Sequence, residues 1–227
     1  MALGRLLRQL WHPGATAAES PKPAAMFRDD TPCVLNVGGG SKQIPIPDHY
    51  NGWNHLLLDI DPGGGADLIH DARDLEVLDG EKFDAVYCSH NLEHYYRHEG
   101  ARVLRGFIHV LKPNGFVEIR VPDLNCVMRR VVSTGMDIED VLYEGPSGPI
   151  TVCDVIYGWG KVIEASGVDF YAHKTGFTAA SLRAFLGQAG FARVFVGEVE
   201  ETFEVQAFAF KMQPTAAQRA LLPIVVD

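Results

Sequence analysis

The chain has 227 residues, 47% of them hydrophobic, and 20 Lys and Arg against 29 Asp and Glu give a net charge of −9. That content suits one large domain with a sizeable core, while an acidic chain lacks the electrostatic footprint of a nucleic-acid binder. No apolar run approaches the roughly 18 residues of a membrane span, so stable membrane insertion is not expected either.

Residues 1–30 form an arm and linker. Leu3, Leu6, Leu7 and Leu10 fall at helical spacing with Arg5 and Arg8 opposite, but the continuous apolar core and cleavage site of a signal peptide are missing. The arm is expected to pack on its own domain or on a neighbouring subunit, which leaves a homodimer open, with a membrane-surface anchor as the alternative. Residues 13–25 are rich in Pro, Ala and Ser and read as a linker. Cys33, Cys88, Cys126 and Cys153 are far apart and form no C-x-x-C, so a reducing, cytoplasmic setting without disulfides is expected.

The main domain spans 31–213. CVLNV (33–37) is a buried strand running into Gly38-Gly39-Gly40, and HLLLDI (55–60), ADLIHD (66–71) and FDAVYCS (83–89) are three more. Val103, Leu104, Phe107, Ile108 and Leu111 mark a helix stopped near Pro113-Asn114-Gly115, and GFVEIRV (115–121) is the fifth strand. Residues 123–172 break this rhythm and read as a partly helical insertion or lid. Thr178 then caps a helix carrying Leu182, Phe185 and Leu186, and RVFVGEVE with TFEVQAFAF makes a hairpin turning near Glu200-Glu201. Residues 214–227 form a tail.

Short apolar strands alternating with helices give an α/β fold, a parallel sheet covered on both faces. Ligands of such sheets bind outside the carboxyl ends of the strands. Three glycines after strand one allow close backbone approach, Asp59 at the end of strand two can accept bonds from ribose hydroxyls, and Asp71-Ala72 ends strand three. From these residues the chain resembles the class I S-adenosylmethionine-dependent methyltransferases, particularly the type-11-like domains. VLNVGGGSK is similar to their glycine-rich first motif, LLLDIDP to the acidic second, HDARDL to the adenine-contacting third and LKPNGFVEIRVPDL to the turn before strand five. The resemblance implies a Rossmann-like seven-stranded sheet ordered 3-2-1-4-5-7-6, with S-adenosylmethionine as cofactor. It would place Gly38, Gly39 and Gly40 at the methionine, Asp59 at the ribose, Ile60, Asp71 and Ala72 at the adenine, and Ser89 and His90 near the sulfonium. Asn36 stands where the family carries an acid, and Pro45 and Pro47 forbid a long helix after the glycine loop.

Two other motifs compete. His90, Glu93 and His94 spell the H-x-x-E-H of inverted zinc proteases. That motif needs a helix, and His90 leaves a strand, so no metal is expected. Tyr157 and Lys161 match the Y-x-x-x-K of short-chain dehydrogenases, but Gly158 and Gly160 weaken the helix that pair requires. The sequence therefore predicts methyl transfer to a small-molecule or glycan-like acceptor, with His90, His94 and His173 as candidate bases. The alternative is a non-catalytic adenosyl-binding scaffold.

Overall fold

The structure, a computed structural model, describes residues 31–145, 148–220 and 222. The arm and linker expected over 1–30 lie outside these residues, as does most of the end of the tail. The run Cys33–Val37 is β1, buried at every residue. Asn54–Asp59 (β2), Leu68–Ile69 (β3), Phe83–Ser89 (β4) and Leu111–Pro122 (β5) extend the sheet, each pair among them parallel. The insertion holds a separate hairpin, Val141–Gly145 (β6) with Gly148–Thr151 (β7). Arg193–Val199 (β8) and Glu204–Phe210 (β9) form an antiparallel hairpin, and β9 pairs with β5. The resulting order β3-β2-β1-β4-β5-β9-β8 is the expected one, with β8 and β9 as the sixth and seventh strands of the sheet.

Side chains alternate along each strand. Leu35 and Val37 join the main core under Arg97–Val110 (α1), whereas Val34, Ala85 and Tyr87 face the other way. The second face is covered by the segment that the prolines keep from forming a long helix. A 3-10 turn, Asp48–Tyr50, buries Tyr50 against Val34 and Tyr87, with Trp53 and Phe116 beside it. Burying an aromatic side chain of this kind contributes about 1.5–3 kcal/mol, enough for one turn to stand in for a helix. The same turn is anchored by charge. Glu118, fully buried on β5, pairs with His49 Nε2 at 2.8 Å and accepts from Arg120 Nη2 at 3.0 Å and Gln206 Nε2 at 2.8 Å. Burial alone would raise its pKa, but the His49 hydrogen bond and the Arg120 charge hold it below the ordinary value.

The insertion has a small core including Cys126, Val127, Leu142, Val152 and Val155, to which Phe203 adds from the turn between β8 and β9. Its helices are Leu124–Thr134 (α2), capped by Asp123, and the short Val152–Tyr157 (α3) and Gly160–Ser166 (α4). Tyr157 and Lys161 therefore sit on different helices, and the dehydrogenase-like pair does not form. Between them Gly158 adopts φ +96°, and a Cβ there would stand 2.0 Å from the Tyr171 carbonyl oxygen. Only glycine tolerates this crossing, where Gly158 bridges to Ala172. The last core helix, Ala179–Ala189 (α5), is capped by the Thr178 hydroxyl, which accepts from Ser181 N–H at 3.2 Å. A five-residue helix, Ala216–Ala220 (α6), follows β9. All four cysteines are free, and among the described residues no helix is long and apolar enough to cross a membrane.

Candidate active site

Parallel strands deliver their carboxyl ends to one edge, and the edge here is concave. Gly38, Asp59, Ile60, Asp71 and Ala72, which leave three different strands, line a single cleft of about 600 Å³ counting its open mouth. Gly39, Gly40, Ser89 and His90 line an adjoining hollow that shares Gly38 with it. The cleft floor is apolar, with Val37 and Leu58, and Tyr95, Phe170 and Lys174 close its far side.

Local geometry explains these residue types. Gly38 sits at φ +71°, and a Cβ would come within 2.1 Å of Asn91 Nδ2. Its N–H donates to the Leu58 carbonyl at 2.9 Å, tying the glycine loop to β2. Asp59 completes the tie by accepting from Gly40 N–H and from Asp61 N–H, both at 3.0 Å. Each carboxylate oxygen retains a lone pair that these bonds do not use. Asn36, in the position where an acid was expected, is buried beneath Gly39.

Asp71 is more committed. Arg73 grips it through Nε and Nη2, the latter at 2.6 Å, and reaches Glu99 through Nη1 at 2.6 Å. Burial works against ionisation of Asp71, yet these bonds hold its pKa below the ordinary carboxylate value. Both oxygens of the carboxylate expected at the adenine thus already accept from a guanidinium. Arg73 and Glu99 were not singled out from the sequence. The spacing Asp71-x-Arg73 and the place of Glu99 in the first turn of α1, where it accepts from Tyr96 N–H, were the available signals.

The three histidines separate in role. His90, at φ +47° directly after β4, presents Nε2 to Glu204 Oε1 at 2.7 Å and Nδ1 to Glu93 Oε1 at 3.5 Å. Desolvation disfavours its charge, but the Glu204 hydrogen bond and the Glu93 carboxylate outweigh it and push the pKa up to about 10. Its side chain is 47% exposed, so solvent tempers the effect without reversing it. In this arrangement both ring nitrogens of His90 face carboxylates, and a ring held as imidazolium donates rather than accepts a proton. His94 lines the main cleft. His173 lines a third hollow with His90, Tyr143 and Trp159; burial lowers its pKa against the pull of Glu93. Of the aromatic residues in the insertion, Tyr143, Trp159 and Phe170 line the hollows, although Phe170 is 50% exposed, whereas Tyr157 and Tyr171 do not line them.

The stretch linking these pockets is well anchored. Lys174 and Thr175 N–H groups donate to the Glu93 carbonyl at 2.8 and 3.1 Å, and the Thr175 hydroxyl to Tyr95 O at 2.8 Å. His173 is therefore already beside Glu93, with no closing motion needed to bring it there.

Residues 35–119 match a family model described as a methyltransferase domain. Among solved structures, a SAM-dependent methyltransferase from Methanosarcina mazei is similar at TM-score 0.51 and 16% identity, covering 83% of this chain and 96% of that one. One from Archaeoglobus fulgidus gives 0.50 at 14% identity over 80% and 86%. A Pyrococcus horikoshii protein gives 0.52 at 14% identity over 83% and 86%. At such identities these structures speak to the fold. No curated protein matches the chain.

Proposed function

We propose that this chain, whose residues 35–119 are a methyltransferase domain on the class I sheet, transfers a methyl group from S-adenosylmethionine to a small-molecule or glycan-like acceptor. S-adenosylmethionine is the cofactor of this class, and the residues present fit it. One observation carries the reading: residues that resemblance assigns to methionine, ribose and adenine, though they leave three separate strands, line one cleft. Asp59 stands at the end of β2 with lone pairs free for two ribose hydroxyls, while Val37, Leu58, Ile60 and Ala72 offer an apolar bed for a purine. The glycine loop, pinned by Leu58 and Asp59, provides a side-chain-free wall next to the hollow of Ser89 and His90.

When bound, the cofactor supplies an electrophilic methyl group on a sulfonium. The protein's share is alignment of an in-line displacement and exclusion of water. Tyr143, Trp159 and Phe203 frame the third hollow, beyond His90, and this hollow is the proposed acceptor pocket. His90 serves there as a fixed cation and donor for acceptor oxygens rather than as a base.

Titration calorimetry with S-adenosylhomocysteine tests the binding half. Transfer of labelled methyl groups to a panel of hydroxylated small molecules and glycans tests the other half. Absence of saturable binding overturns the proposal. Binding without turnover on any acceptor favours the scaffold reading, which the non-helical segment after the glycine loop supports.

A further inference from the structure

The H-x-x-E-H stretch does something its first histidine does not reveal. Glu93 is 1% exposed, and neither of its carboxylate oxygens has a hydrogen-bond partner. A carboxylate in this condition is costly, because it has given up water and its nearest charge, His90 Nδ1 at 3.5 Å, is not in hydrogen-bond geometry. Beyond His90, two further imidazoles stand beside it, their ring centroids 4.9 Å apart. His173 Nε2 lies 4.0 Å from Glu93 Oε1. A ring nitrogen of His94, one of His173 and a Glu93 oxygen all lie within 4.8 Å of one another.

The outer contacts of both rings set their tautomers. His173 Nδ1 lies 2.8 Å from the Val155 carbonyl and His94 Nδ1 lies 3.1 Å from the Ala172 carbonyl. A carbonyl only accepts, so Nδ1 carries the hydrogen in each ring and Nε2 keeps its lone pair. Imidazoles that ligate metals are held in this way, with the far N–H given to a backbone carbonyl.

We propose that Glu93, His94 and His173 form a binding site for a divalent first-row transition ion of the zinc or iron class. Two imidazoles and one carboxylate match the donor preference of those ions, whereas magnesium and calcium favour oxygen-only sets. Three protein donors leave coordination positions open for water or a substrate oxygen. A point equidistant from three atoms 4.8 Å apart is about 2.8 Å from each, so reaching bonds of about 2.0–2.2 Å needs side-chain shifts under about 1 Å. His90 is not a ligand, since Glu204 and Glu93 flank its two nitrogens. The absence of a metal expected from the sequence rested on His90, but the third donor comes from His173, beyond the insertion. The site stands on this geometry alone and does not depend on methyl transfer.

The test uses the full-length protein, stripped with a chelator and titrated with Co2+ as a spectroscopic probe and with Zn2+ by calorimetry. The expected result is one ion per chain, displaced by Zn2+ and not by Mg2+. Affinity should fall at least about a hundredfold in His94→Ala, in His173→Ala and in Glu93→Gln, beyond the roughly 10–100-fold typical of losing an outer-shell partner. Mapping of diethyl pyrocarbonate modification in the wild type, which needs no variant to fold, should show Zn2+-dependent protection of both rings. The proposal is overturned by a lack of stoichiometric uptake, by uptake undiminished in the double His94→Ala/His173→Ala variant, or by unprotected rings at saturating Zn2+. S-adenosylhomocysteine binding in the same stripped samples keeps the two proposals apart, because it bears on the methyltransferase reading alone.

Discussion

Replacing Asp59 by Ala perturbs the cleft at its most defined point. The residue lines the cleft, and its carboxylate accepts from Gly40 and Asp61 N–H groups. A ribose diol would donate two further charge-assisted hydrogen bonds, each worth about 1.5–3 kcal/mol. Losing both removes about 3–6 kcal/mol nominally, and 1.4 kcal/mol is a tenfold change, so affinity should fall by more than about a hundredfold. The orphaned backbone groups are exposed and find water, so thermal stability should change little. Asp59→Asn keeps one acceptor oxygen and should fall between the two. Calorimetry with S-adenosylhomocysteine, beside a thermal melt for each variant, measures both quantities. Equal affinity in wild type and Asp59→Ala would show that the cleft does not hold a ribose at β2.

Asp71→Asn is expected to lower the melting temperature through loss of the Arg73 fork while weakening nucleoside binding only a few-fold, because its carboxylate is spent on Arg73; calorimetry showing a loss as large as that of Asp59→Ala would contradict this. Glu118 ionises below the ordinary glutamate value of 4.5 in the folded state, so its contribution is fully present above about pH 4.5 and is lost as pH falls through the folded value. Glu118→Gln should therefore be less stable than wild type at pH 7 and lose less on acidification, which denaturant melts at pH 7 and pH 4 resolve. Gly158→Ala forces a Cβ toward the Tyr171 carbonyl at a positive φ and should cost about 1–3 kcal/mol, read as a lower melting temperature and faster amide exchange across residues 152–173.

Much of the frame could be read directly from the chain. Short apolar runs such as CVLNV and FDAVYCS, bounded by turn residues, suit a sheet covered on both faces, and period-two alternation set the closing hairpin. Pro45 and Pro47 barred a long helix by local stereochemistry, and the strand-end positions of Gly38, Asp59 and Asp71 followed from the parallel arrangement. What could not be read was pairing between side chains far apart in sequence. Nothing local shows that Arg73, besides taking the neighbouring Asp71 carboxylate, would also reach Glu99, or that Glu204 would reach back to His90 and hold it as a cation. His173 joins Glu93 and His94 only because the insertion returns its chain across the 91–94 turn and donates two backbone bonds to it. Periodicity and propensity report each segment's own preference. The charge state of an imidazole and the donor set around a buried carboxylate belong to contacts that exist only once distant segments have packed.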